Sequence, residues 1–309
     1  MRSVFPHSQP LAPKAGAPAP EGDTGSPEAA AESARGSANL RADGTGRALS
    51  IETPTNRWFV HRISDALLAP AIRLGIHPNM VSLIGLGFGA AAGVAYVHWR
   101  DPWMATLGFV LMIGWHICDG LDGRLARATG KVTALGRLLD GVCDYATFFM
   151  VLVPIALTFD NWPMVLTFGL IAGMAHALQS AFYEGERESW TRRSRGVFVA
   201  KPRSNAGGLI ERSYNRIEAS LGNCERPIDH WLAAHPDRLP GYLAASVPVM
   251  RMSAILSANS RTIAIWLACM AGFPVAYWVW ELVGLSLIAF VLAARLRQVE
   301  ASLCSDGRE

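Results

Sequence analysis

Residues 119–144, DGLDGRLARATGKVTALGRLLDGVCD, hold four aspartates at fixed offsets. Asp119 is followed by two residues, then Asp122 and Gly123, two more, then Ala126 and Arg127. Gly136 comes eight residues later, and Asp140 and Asp144 follow at three-residue gaps. On a helix, Asp119 and Asp122 share a face as an i,i+3 pair, and Asp140 and Asp144 do so as an i,i+4 pair. Strongly apolar runs flank both pairs: WMATLGFVLMIGWHIC from Trp103 and YATFFMVLVPIALTF from Tyr145. The pairs therefore sit at the ends of two helices of membrane character joined by a short polar loop. A charged side chain at bilayer depth costs about 2.5–3.5 kcal/mol on insertion scales, so four together require a partner. One divalent cation, or two, would suit them. Carboxylate oxygens are hard ligands, which points to Mg²⁺ or Mn²⁺ rather than zinc or copper. Two such ions about 3.5–4 Å apart are able to clamp a diphosphate between them. Gly123 has no Cβ, which lets a nucleotide approach the helix backbone. Arg127, one turn on, is able to reach a phosphate bidentately.

The elements that must position these groups are membrane helices. The chain has 309 residues, 51% of them hydrophobic, with a mean hydropathy of +0.22. That composition predicts an all-α polytopic helix bundle. The net charge is only +3, and no nucleic-acid partner is expected. Five cysteines (Cys118, Cys143, Cys224, Cys269, Cys304) form no CxxC pair. Cys118, Cys143 and Cys269 lie in apolar runs and read as small packing residues rather than zinc ligands.

Residues 1–56, rich in Pro, Ala, Gly and Ser, read as a disordered tail that cannot bury enough surface to order itself. From 57 to 76 the apolar residues Phe59, Ile63, Ala66, Leu67 and Leu74 recur at helical spacing among Arg57, Arg62 and Arg73. This predicts an amphipathic helix lying along the membrane interface. Four spans follow within 77–184: 80–99, 103–123, about 133–158 and 162–183. In the first, Gly85, Gly89 and Gly93 form a small-residue stripe suited to close helix packing. A polar insert covers 185–260, with one amphipathic helix expected around Leu209–Leu221 and an apolar stretch at 241–257 read as interfacial or packed. The run at 261–297 is too long for one span and divides into spans five and six at a turn expected between Pro274 and Glu281. Residues 298–309 end the chain as a short tail. Six spans put the loop with Arg124, Arg127, Lys131 and Arg137, the insert, Arg295 and Arg297 on one side, against only Arg100 on the other. The asymmetry predicts that both termini and the aspartates face the cytoplasm. A bacterial inner membrane is the expected location.

The pattern D-x2-D-G-x2-A-R-x8-G-x3-D-x3-D resembles the signature of the CDP-alcohol phosphotransferase family, with every specified position present from Asp119 to Asp144. The resemblance covers about 57–184 and 260–297. It implies that Asp119, Asp122, Asp140 and Asp144 bind the metals, and that Asp144 also takes the proton from the acceptor hydroxyl. It also implies substrate or nucleotide contacts at Asn79, Ser82 and Thr133, alongside Gly123 and Arg127, and a homodimer. The implied reaction moves a phosphatidyl or other substituted phosphate group from a CDP-linked donor, foremost CDP-diacylglycerol, to an alcohol, releasing CMP. A CDP-choline or CDP-ethanolamine type of phosphotransferase acting on a lipid alcohol is the alternative within the family. Two other classes also place acids in membranes. Intramembrane prenyltransferases carry two separated Asp-rich motifs, whereas here all four lie within 26 residues. Divalent-cation transporters break helices at the midplane, whereas these aspartates stand near helix ends.

Overall fold

In a computed structural model of the chain, residues 49–52, 55–200 and 225–306 are described. Among them there is no strand. After a π-helical turn at Asn56–Val60 come α1 (His61–Arg73), α2 (Pro78–Val97), α3 (Pro102–Ala128), α4 (Ala134–Leu157) and α5 (Trp162–Ser194). Then follow α6 (Pro227–Ala234), α7 (Leu239–Met252), α8 (Ala258–Met270), α9 (Val275–Val279), a π-helical segment (Trp280–Leu285) and α10 (Ser286–Asp306). The starts are written locally. Pro occupies the first turn of α2, α3 and α5, where its missing N–H costs nothing. Asp101 caps α3 by accepting from Trp103 N at 2.9 Å, and Thr133 Oγ1 caps α4 by accepting from Gly136 N at 2.9 Å.

Among the described residues, six helices are long and apolar enough to cross a membrane: Pro78–Val97, Pro102–Ala128, Leu135–Leu157, Trp162–Ser194, Pro236–Leu256 and Val275–Ser305. Six is the expected number, with a change of membership. The segment expected as span five is α8, only 13 residues, and the stretch around α7 meets the length criterion instead. The turn also moves. It falls at Gly272 (φ +77°) and Pro274, while Trp278–Glu281 continues into helix. The physical reason is Glu281, which is buried rather than interfacial. Its carboxylate accepts from Arg261 Nε at 3.0 and 3.1 Å and from Tyr277 Oη at 2.6 Å. Gln179 donates to the Glu281 carbonyl at 2.9 Å and accepts from Arg261 Nη2 at 2.8 Å.

Helix α2 packs against both aspartate-bearing helices, and its glycines are what permit it. A Cβ on Gly85 would stand 3.0 Å from Cys118 Cβ of α3, on Gly89 2.7 Å from Thr147 of α4, and on Gly93 2.0 Å from the Met150 carbonyl oxygen. The stripe is thus used inside the chain. One core fills the middle of this bundle with Tyr96, Met112, Trp115, Val151, Ile155 and Trp278.

A second core gathers at the other end of α5. Its 33 residues measure about 50 Å at 1.5 Å per residue, well beyond a hydrocarbon layer of about 30 Å. The excess is the charged stretch EGERESWTRRS. Trp190 there packs with Ile228, Leu232, Tyr242, Met250 and Leu296. Ile51 joins them, so a residue from within the expected tail packs into this core. At the polar heart of this core, Asp229 takes Arg193 Nε at 2.7 Å and Nη2 at 2.8 Å, Arg192 Nη2 at 3.0 Å and the Arg226 backbone N–H at 2.9 Å. Burial pushes the Asp229 carboxyl up, but the Arg193 hydrogen bonds and charge outweigh it and hold the group below its ordinary range. The amphipathic helix expected at 209–221 lies outside the described residues.

Helix α1 forms within the range expected for it, with its faces sorted in an informative way. Toward the bundle α1 buries His61, Ser64 and Ala71, all small or polar, and the turn before it buries Val60, while Leu67 and Ile72 of α1 and the flanking Trp58, Phe59 and Leu74 are exposed. The large apolar face therefore points away from the protein, as a helix on a membrane surface requires.

Candidate active site

The loop at 129–133 reverses the chain so that the last turns of α3 and the first turns of α4, both packed on α2, face each other across a cleft. Gly130 makes the reversal by taking φ +66°, and the Lys131 N–H closes on the Ala126 carbonyl at 2.9 Å. The outcome is that Asp119, Asp122, Asp140 and Asp144 line one narrow cleft, walled further by Ser82, Gly85, Trp115 and Cys143. Asp119, Asp140 and Asp144 each bring one carboxylate oxygen to within 4.8 Å of the others. Asp144 Oδ1 is buried and accepts no hydrogen bond. Three convergent carboxylates, one with a buried oxygen that accepts no hydrogen bond, fit a hard divalent cation. Asp122 stands apart from that trio. Its Oδ2 accepts the Ser82 hydroxyl at 2.6 Å, and both residues are buried.

The remaining expected contacts gather at the ends of the same helices, outside the cleft walls. The Arg127 guanidinium lies across the backbone at Gly123, its Nη1 3.3 Å from where a Cβ would be. Gly123 thus makes room for the arginine. At the start of α4, a Cβ on Gly136 would meet Thr133 Oγ1 at 3.0 Å and Asn79 Oδ1 at 3.5 Å. Asn79, Thr133 and Gly136 therefore come together where α2 and α4 begin.

Sequence reasoning overlooked Arg124. It is buried on α3, donates to the His61 carbonyl at 3.1 Å and pairs with Asp65, fixing α1 to the helix that carries Asp119 and Asp122. Ser64 adds a hydrogen bond to the Ile117 carbonyl at 3.1 Å. An arginine two residues from a buried aspartate was a usable signal, hidden because it also counts as a cytoplasmic anchor. A second, larger cavity of about 320 Å³ opens between α4 and α5, lined by apolar side chains with Tyr145, His176 and Trp278 among them. Its wall starts at Tyr145, the residue after Asp144, and the buried Trp278 indole N–H has no partner.

Residues 75–191 match the model of the CDP-alcohol phosphatidyltransferase family, a range that encloses every group just described in the cleft. These residues form a CDP-alcohol phosphatidyltransferase domain. The domain is 38% identical over 109 residues to an archaetidylinositol phosphate synthase of Pyrococcus horikoshii, a match covering 35% of this chain and 54% of that protein. It is 30% identical over 110 residues to a CDP-diacylglycerol–serine O-phosphatidyltransferase of Encephalitozoon cuniculi, covering 33% of this chain and 28% of the other. A phosphatidylinositol phosphate synthase of Cutibacterium acnes is 30% identical over 123 residues, covering 37% and 54%. The chain thus spans between about a quarter and about half the length of these curated relatives. The family match ends at residue 191, so α6 and α7, which build much of the second core around Trp190, lie beyond it.

Proposed function

We propose that this chain is an integral-membrane transferase that moves a phosphatidyl group from CDP-diacylglycerol to a small alcohol and releases CMP. The convergence of Asp119, Asp140 and Asp144, with Asp144 Oδ1 buried and without a hydrogen bond, carries the reading. With Asp122, these carboxylates would hold Mg²⁺ or Mn²⁺ in a two-metal site. A divalent cation so bound supplies neutralisation of the diphosphate and polarisation of its phosphoryl oxygens. The chain's own groups do the rest. Arg127 pairs with a phosphate from its seat over Gly123, while Asn79 and Thr133 contact the nucleotide at the helix ends. Asp144 accepts the proton of the acceptor hydroxyl. The alcohol oxygen bonds to the phosphorus bearing the diacylglycerol, the bond from that phosphorus to the bridging oxygen breaks, and the electron pair leaves with CMP.

The apolar cavity between α4 and α5, which Tyr145 lines one residue on from Asp144, supports a lipid partner. The relatives' names divide between serine and inositol phosphate as acceptors, so the acceptor is the open half of the reaction. In this reading the site and both termini face the cytoplasm of a bacterial inner membrane, and the protein works as a homodimer. The test is a panel of serine, glycerol phosphate, inositol phosphate and inositol given to purified protein in lipid with CDP-diacylglycerol. One acceptor should drive CMP release and yield its phosphatidyl ester. Release only from CDP-choline or CDP-ethanolamine with a lipid alcohol would reverse donor and acceptor, and silence with every CDP donor would overturn the reading.

A further inference from the structure

The site leaves Ser82 doing something other than touching substrate. A serine hydroxyl has a single proton to donate. Here two acceptors are in reach, Asp122 Oδ2 at 2.6 Å and the Pro78 carbonyl at 3.4 Å. The shorter contact falls in the range of charge-assisted O–H···O⁻ bonds, so the proton belongs to Asp122. A hydroxyl committed in this way keeps only lone pairs, and phosphate oxygens are acceptors too. Ser82 therefore has nothing to offer a diphosphate while it holds Asp122.

The placement is built into the packing. Ser82 is one turn before Gly85 on α2, and Gly85 brings α2 so close to α3 that a Cβ would sit 3.0 Å from Cys118 Cβ, one turn before Asp122. Asp122 and Ser82 are both buried, and Asp122 is the one cleft aspartate outside the convergent trio. We propose that Ser82 is a positioning residue for the metal site: its hydroxyl fixes the rotamer of Asp122, so that the carboxylate is presented to the cation in one orientation. Groups that orient a metal-binding carboxylate contribute about ten- to a hundredfold to metal affinity. This rests on the metal-dependent reading above.

The test measures Mn²⁺ binding to the full-length protein in detergent by electron paramagnetic resonance, without nucleotide. Ser82→Ala should bind Mn²⁺ about ten- to a hundredfold more weakly than wild type, while Ser82→Thr, which keeps the hydroxyl, should bind close to wild type. In an Asp122→Asn background, Ser82→Ala should weaken binding no further, because the effect acts through Asp122. Wild-type Mn²⁺ affinity in Ser82→Ala together with weakened CDP binding would make Ser82 a nucleotide contact and overturn the proposal alone. Tighter Mn²⁺ binding in Ser82→Ala would overturn it as well, since the serine would then be withholding Asp122. A wild-type protein that binds no Mn²⁺ would overturn both this proposal and the metal-dependent reading.

Discussion

At the scale of single residues, the chemistry depends on how few partners a group has. Asp144 Oδ1 is buried with no hydrogen bond, the kind of unsatisfied group that marks functional positions. Arg127 depends on Gly123, which lets the guanidinium settle across the helix. Replacing Arg127 by Lys keeps the charge and loses the planar fork. R127K should lower kcat/KM for the CDP donor about tenfold or more, as expected from losing a charged hydrogen bond worth about 1.5–3 kcal/mol. Steady-state kinetics at varied donor concentration checks this, and an unchanged kcat/KM would remove Arg127 from the site. That the four aspartates would come together was legible in the sequence, because i,i+3 and i,i+4 spacing puts each pair on one helix face. Asp65 with Arg124, and Glu281 with Arg261, were not. Their partners lie 59 and 20 positions apart, and nothing in local spacing encodes such a pairing.

At the scale of elements, the glycines of α2 decide how the site closes. A Cβ on Gly93 would fall 2.0 Å from a backbone oxygen of α4, whereas one on Gly87 meets nothing within 4 Å. Overpacking of this kind costs about 1–3 kcal/mol, occasionally more. Gly93→Ala should therefore lower the thermal midpoint in detergent, and Gly87→Ala should leave it unchanged or raise it slightly. Equal effects would mean that α2 does not pack as described. The α4–α5 cavity gives a second expectation. Gly173 lines it and has open space where a Cβ would be. Gly173→Leu should raise KM for the lipid substrate while kcat holds; an unchanged KM would leave the cavity out of lipid binding. Sequence reasoning marked the stripe as a packing surface but could not say against which helix. It extended the turn at Pro274 as far as Glu281 because Trp278–Glu281 has the composition of an interface, and only the buried partners of Glu281 show otherwise.

At the scale of the whole molecule, two cores share one long helix. The first half of α5 belongs to the membrane bundle, and its charged second half is the axis of a small module built with α6, α7 and the end of α10. Asp229 holds that module together through Arg192 and Arg193. Removing one partner of a buried ion pair costs about 3–5 kcal/mol, so Asp229→Asn should unfold the module at lower temperature, as read by protease nicking near 230. Its pH dependence has a fixed sign. The folded pKa lies below the unfolded value of about 3.9, so the contribution is complete above that value and is lost as pH falls through the folded one. The module was the least legible part of the chain. Its core combines Ile51, Trp190, Tyr242 and Leu296, contributions scattered across segments that read separately as tail, insert and span.

The central claim is that the carboxylate cluster between α3 and α4 is the catalytic centre. CMP release from CDP-diacylglycerol, measured for wild type and Asp144→Asn after chelation and stepwise return of Mg²⁺ or Mn²⁺, tests it most directly. Wild-type activity should vanish on chelation and return with the ion, and Asp144→Asn should be slower by about a hundredfold or more at every ion concentration, the contribution expected of a general base. CMP release that survives chelation, or an Asp144→Asn variant as fast as wild type, would contradict the account.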